Sequence, residues 1–132
     1  MNQQRSILIV DDQESTLFAM TEYFTSRGFA VDGARELREA EMLFVANPYV
    51  AVITDLQLTA SHDWQGLELI TYVRQRWPSV CIILLTAHGS PQVEAEARRC
   101  GVDAFLVKPQ PLSAVEHTMR GLLVSRPESP ER

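Results

Sequence analysis

An α/β fold, with helices on both faces of a five-stranded parallel sheet, is the architecture this sequence predicts. Three observations predict it. Short apolar runs recur five times along the chain. Four of the five are continuous in apolar character rather than alternating, as strands buried on both faces must be. Segments of helical period separate each run from the next, the pattern of a parallel sheet joined by helical crossovers.

The first run spans residues 7–10. After it, Leu17, Met20, Tyr23 and Phe24 fall at i, i+3, i+6 and i+7, one face of a helix that Gly28 stops. The run at 29–31, cut short by Asp32, is the weakest and reads as an edge strand. Leu37, Ala40, Glu41, Leu43 and Phe44 mark a second helix, closed by Asn47-Pro48. The third run covers 50–54, and Leu67, Leu69, Ile70 and Val73 give a helix that ends before Pro78. The fourth run is 81–86. Val93, Ala95, Ala97 and Cys100 follow in a more polar helix ending at Gly101. The fifth run, 104–107, leads into a helix carrying Leu112, Val115, Met119, Leu122 and Leu123. A (βα)₅ alternation of this size implies right-handed crossovers and a doubly wound sheet of the flavodoxin-like type, strand order 2-1-3-4-5. Residues 1–124 are read as one domain. The Pro-, Ser- and charge-rich stretch 125–132 is expected to be a disordered tail.

Composition narrows the function. The 132 residues are 45% hydrophobic and 22% charged, ordinary for a soluble globule that needs no disulfide or structural metal. A net charge of −5 and the lack of a basic stripe argue against direct nucleic-acid binding. Cys81 and Cys100 stand apart from one another and from any Cys/His cluster, which suits a reducing cytoplasm and gives zinc or redox roles little support. The start is polar and the next apolar stretch lasts four residues, so neither a signal peptide nor a membrane span is expected.

In a doubly wound sheet the ligand site lies beyond the carboxyl ends of the strands. Strand one ends there at Asp11-Asp12, strand three at Asp55, strand four at Thr86 and strand five at Lys108-Pro109. Each has an ordinary reading taken alone: a solvated turn or cap, a helix-opening acid, a strand end, a Lys-Pro turn. Their coincidence at one sheet edge points to chemistry. Three crowded carboxylates would raise one another's pKa unless a cation offsets them. A hard oxygen-seeking cation such as Mg²⁺ does so while leaving room for a phosphate oxygen. A carboxylate can be the nucleophile, forming an aspartyl-phosphate. Transfer of a phosphoryl group then needs mainly positioning and charge neutralisation, with a Thr hydroxyl and a Lys to hold its oxygens.

The segments Ile7-Leu8-Ile9-Val10-Asp11-Asp12, Val52-Ile53-Thr54-Asp55-Leu56, Ile83-Leu84-Leu85-Thr86-Ala87 and Gly101-Val102-Asp103-Ala104-Phe105-Leu106-Val107-Lys108-Pro109 closely resemble the receiver domains of two-component response regulators. The resemblance covers roughly residues 5–124. It implies Mg²⁺ held by Asp11, Asp12, Asp55 and the backbone carbonyl of Gln57, and Asp55 as phosphoacceptor. Thr86 and Lys108 are expected on the phosphoryl oxygens, with Phe105 as the aromatic that turns inward when Thr86 is drawn to them. Phe105 also has the simpler reading of a core residue. A cis peptide before Pro109 is implied as well.

The implied partners are a histidine kinase or phosphotransfer protein as donor. Downstream lies a protein partner, a homodimer formed through helix four, strand five and helix five, or an output domain removed from this segment. Self-phosphorylation and dephosphorylation are expected, without turnover on an external substrate.

One stretch departs from the pattern. From Leu56 to Gln65 the loop lacks the usual Pro and runs about three residues longer, so it is expected to be mobile, either with Trp64 capping the site or docking a partner or as a surface insertion with no role. His62 and His88 raise the question of a transition metal, which the oxygen-rich donor set disfavours. His88 and Gln57 are read instead as tuning the access of water to the acyl phosphate. Two other readings compete. A haloacid-dehalogenase-like phosphatase would carry Asp-x-Asp after strand one, where this chain has Asp11-Asp12-Gln13. A degenerate receiver acting as a constitutive interaction module would not need the full acid, Thr and Lys set.

Overall fold

The computed structural model describes residues 4–58 and 64–125; Ser125, expected to open the tail, ends the last helix instead, and His62 and the rest of the expected tail, 126–132, lie outside the described residues. Among these, strands and helices alternate as β1 (Ser6–Val10), α1 (Glu14–Ser26), β2 (Ala30–Ala34), α2 (Leu37–Ala46), β3 (Ala51–Thr54), α3 (Gln65–Arg76), β4 (Cys81–Thr86), α4 (Pro91–Cys100), β5 (Ala104–Val107) and α5 (Leu112–Ser125). All pairings are parallel, and the strand order is β2-β1-β3-β4-β5.

Two hydrophobic layers explain why the central strands are continuous apolar runs. Side chains alternate across the sheet. Leu8, Val10, Val52, Ile82 and Leu84 pack with Ala40, Phe44, Leu69, Ile70, Val73, Val93 and Ala97 of α2, α3 and α4. Ile7, Ile9, Ile53, Ile83 and Leu85 meet Met20, Phe24, Val115 and Met119 of α1 and α5. Fully burying each large aliphatic chain contributes about 1.5–3 kcal/mol before ordering entropy is counted.

The sequence misplaces two details. The second strand lies later than 29–31: Phe29 turns into the core beside Phe24, while the strand continues through Asp32 and Gly33 to Ala34. As an edge strand it leaves Asp32 and Gly33 exposed, so apolar continuity was the wrong guide. On α4, Ala95 faces solvent and only Val93 and Ala97 of the expected face are buried, which is the i, i+4 spacing. That helix opens with Ser90 Oγ accepting from the Val93 N–H at 3.1 Å and closes on Gly101 at φ +114°.

Opposite the carboxyl edge, Arg74 ties α3 to its neighbours. Its guanidinium donates to the carbonyls of Pro78, Val80 and Gly101 and to Asp103 Oδ2 at 2.6 Å, and that same carboxylate oxygen accepts from the Ile82 N–H.

Candidate functional site

β1, β3 and β5 deliver the charged residues to one edge. Lys108 Nζ lies 3.1 Å from Asp11 Oδ2 and 3.2 Å from Asp55 Oδ2. The three side chains are 23%, 4% and 14% exposed, so the charges interact where water screens them poorly. Burial works against the Lys108 ammonium, but the charges of Asp55 and Asp11 outweigh it and the pKa rises above the ordinary lysine value. Asp11 Oδ1 is satisfied by the Gln13 N–H at 2.9 Å, and Asp55 Oδ1 by the Leu56 N–H at 2.6 Å. Asp55 Oδ2 is therefore the oxygen turned to the lysine.

A pocket of about 340 Å³ opens over this cluster, lined by Asp12, Gln13, Asp55, Gln57, Ala87, His88 and Lys108. It holds Asp12 and Gln57 beside Asp55, as the sequence suggests. Two carboxylates sharing one ammonium leave a net negative charge, and Asp12 adds a second. Carboxylate oxygens carrying that excess charge fit a hard divalent cation. Among the described residues no three Asp, Glu, His or Cys side chains already stand together as metal ligands; Asp11 and Asp55 are turned onto the lysine instead.

Thr86 stands apart from the pocket lining. It is fully buried, and its hydroxyl accepts from the His88 N–H at 3.1 Å, while its carbonyl accepts from the Lys108 N–H at 2.8 Å. Phe105 pairs across strands with Leu84 and packs, half-buried, on the layer beneath α2–α4. By strand alternation Thr86 shares that face. The Lys108–Pro109 peptide is cis, as the resemblance implies.

Trp64 is half-exposed and lines a neighbouring groove with Leu67, His88 and Val93 rather than the Asp55 pocket. The loop expected to be mobile begins in the core, since Leu56 and Leu58 are both fully buried. Sequence reasoning missed the backbone N–H groups of Gln13 and Leu56, which leave no side-chain signal. It also missed Glu116, buried under α1, where Tyr23 Oη donates at 2.6 Å and Arg27 and Arg120 donate at 3.1 and 2.8 Å. Its place on the buried stripe of α5, between Val115 and Met119, was the available signal.

A five-stranded parallel sheet with buried carboxylates and a lysine gathered at its carboxyl edge defines a class of small signalling domains. The chain belongs to the response regulator receiver domain family of two-component systems, whose family model matches residues 7–120. It is similar to the photosynthetic apparatus regulatory protein RegA of Cereibacter sphaeroides, at 31% identity over 96% of this chain and 67% of RegA. It is also similar to the response regulator protein PilR of Pseudomonas aeruginosa, at 30% identity over 99% of this chain but 29% of PilR. The chain thus spans less than a third of PilR. In fold it resembles the Vibrio cholerae chemotaxis protein CheY4, with a TM-score of 0.83 at 24% identity over 91% of this chain and 99% of that one. Among the described residues no helix is long and apolar enough to cross a membrane.

Proposed function

We propose that this receiver domain accepts a phosphoryl group on Asp55 Oδ2 from a phosphohistidine of a histidine kinase or phosphotransfer protein. The observation that carries the reading is Lys108 Nζ held within 3.2 Å of both Asp55 and Asp11 at the floor of an acidic pocket. Asp55 Oδ2 forms the new O–P bond as the donor N–P bond breaks, and the electron pair leaves with the imidazole. Lys108, already placed beside the nucleophile, neutralises charge on the transferred oxygens. Asp11, Asp12, Asp55 and the Gln57 carbonyl would hold Mg²⁺, which when bound supplies charge neutralisation and orientation of the phosphoryl group.

Thr86 provides the response. Its hydroxyl leaves the His88 N–H and turns to a phosphoryl oxygen, and the space it vacates admits Phe105. This biases the surface of α4, β5 and α5 toward a protein partner, a second copy of the domain, or an output module. Residues 1–125 act as the switching unit, with 126–132 as a tail, in a cytoplasmic protein without turnover on an external substrate.

Intact-protein mass after incubation with Mg²⁺ and acetyl phosphate tests the reading. One added phosphoryl group is expected, absent from Asp55→Asn and absent without metal. An unmodified wild-type mass, together with failure to bind beryllium fluoride in the presence of Mg²⁺, overturns it.

A further inference from the structure

The geometry points to Thr54 as a positioning residue that selects which oxygen of Asp55 faces the incoming group; the reaction it serves is the phosphoryl transfer proposed above. Thr54 is the last residue of β3 and is 1% exposed, in a strand otherwise apolar. Its hydroxyl donates to the backbone carbonyl of Asp55 at 2.9 Å. That carbonyl belongs to the peptide joining Asp55 to Leu56, and the N–H of the same peptide donates to Asp55 Oδ1 at 2.6 Å.

A peptide unit is planar, so fixing its oxygen fixes its N–H. The Thr54 hydroxyl thereby holds the plane, the plane holds Oδ1, and a carboxylate with one oxygen held presents the other in one direction. Oδ2 then lies at 3.2 Å from Lys108 Nζ. The relay runs from hydroxyl to carbonyl, through the amide to Oδ1, and leaves Oδ2 as the free nucleophile beside the ammonium.

The backbone needs this support because it departs from the sheet at Asp55. The Asp55 N–H still joins the ladder, donating to the Val10 carbonyl at 3.1 Å, but β3 ends at Thr54. A partly buried carbonyl past the end of a ladder needs another donor. On its other side it is backed by Gly66, where a Cβ would lie 2.1 Å from the Asp55 carbonyl oxygen. Valine at position 54 keeps the branched shape and β propensity but has no donor, whereas serine keeps the donor and loses a methyl.

The test compares Thr54→Val, Thr54→Ser and wild type by two measurements. In the first, the rate of phosphoryl uptake from acetyl phosphate with Mg²⁺ is followed across donor concentration. Thr54→Val should lower the maximal rate by about fivefold to tenfold, the loss expected from one hydrogen bond and a slightly misdirected nucleophile. The half-saturating donor concentration should stay unchanged, and Thr54→Ser should recover the rate to within about twofold of wild type.

The second measurement is the Leu56 amide proton resonance without donor or metal. It should move upfield in Thr54→Val, as the bond to Oδ1 weakens, and stay in place in Thr54→Ser. A wild-type rate in Thr54→Val, equal slowing in both variants, or an unmoved Leu56 resonance overturns the proposal. Should valine prevent folding, Thr54→Ala takes its place in both measurements. If the wild type itself takes up no phosphoryl group, the phosphoacceptor reading fails, and the Leu56 resonance alone decides the relay.

Discussion

Replacing Gly66 with alanine should damage stability and chemistry together, and the structure says by how much. Gly66 lies in the first turn of α3, and its N–H donates to the Leu56 carbonyl at 2.8 Å. An alanine Cβ there would lie 2.1 Å from the Asp55 carbonyl oxygen, 2.8 Å from Leu56 Cα and 2.9 Å from the Leu56 carbonyl oxygen. These are backbone atoms, which cannot rotate away as the end of a side chain can. Reaching an ordinary contact of 3.4 Å requires the two segments to part by about 1.3 Å at the tightest point. Overpacking of this kind costs about 1–3 kcal/mol, or roughly 3–12 °C of melting temperature in a domain of this size. The displaced atoms belong to the proposed nucleophile's own residue, and a misplacement of about 1 Å can cost on the order of 100-fold in rate. Thermal denaturation gives the first quantity and the time course of acetyl phosphate labelling the second. A Gly66→Ala protein that melts within about 1 °C of wild type, a difference of roughly 0.3 kcal/mol, and labels at the same rate would refute the packing argument.

Three further outcomes are expected. Glu116 is held well below the usual carboxylate range, at about 2, chiefly by the Tyr23 hydroxyl and against burial, with Arg120 and Arg27 assisting. A depressed carboxylate contributes stability that is present above its unfolded pKa and lost as pH falls through the folded one. Chemical denaturation should therefore show stability falling between roughly pH 4.5 and 2, with the fall reduced in Glu116→Gln. Arg74→Ala should destabilise the domain by about 1–3 kcal/mol, because Asp103 keeps the Ile82 N–H but loses its charged partner, and the Pro78, Val80 and Gly101 carbonyls lose a donor; urea unfolding measures this, and Arg74→Lys should recover only part of it. Gly121 in α5 has open space where a Cβ would stand, so Gly121→Ala should stabilise by about 0.5–1 kcal/mol and raise the melting temperature.

Much of the fold was legible because burial on two faces demands apolar strands. The central strands β1, β3 and β4 lie where the apolar runs fall, and the carboxyl-edge rule brought Asp11, Asp55 and Lys108 to within hydrogen-bond reach. β2 was harder to place because an edge strand tolerates Asp32 and Gly33, which weaken the apolar signal. The orientation of Thr86 was not legible. Its type and position mark it as a candidate, but whether its hydroxyl meets a ligand or the His88 N–H depends on a rotamer that sequence does not encode. Leu56 and Leu58 sat in what read as a mobile loop, yet both are core residues; apolar character there outweighed the turn-like composition further along. The bonds that orient Asp11 and Asp55 come largely from backbone amides, which every residue carries alike.

The hydrogen bond from the Gly66 N–H to the Leu56 carbonyl has a consequence for insertions. It joins the two ends of the segment between β3 and α3, so together with the buried Leu58 it sets where those ends lie. Lengthening a loop whose ends are already joined costs only about 0.6 kcal/mol for each doubling of its length. An insertion after Leu58 should therefore leave the carboxylate edge in place, as an unchanged rate of acetyl phosphate labelling would show.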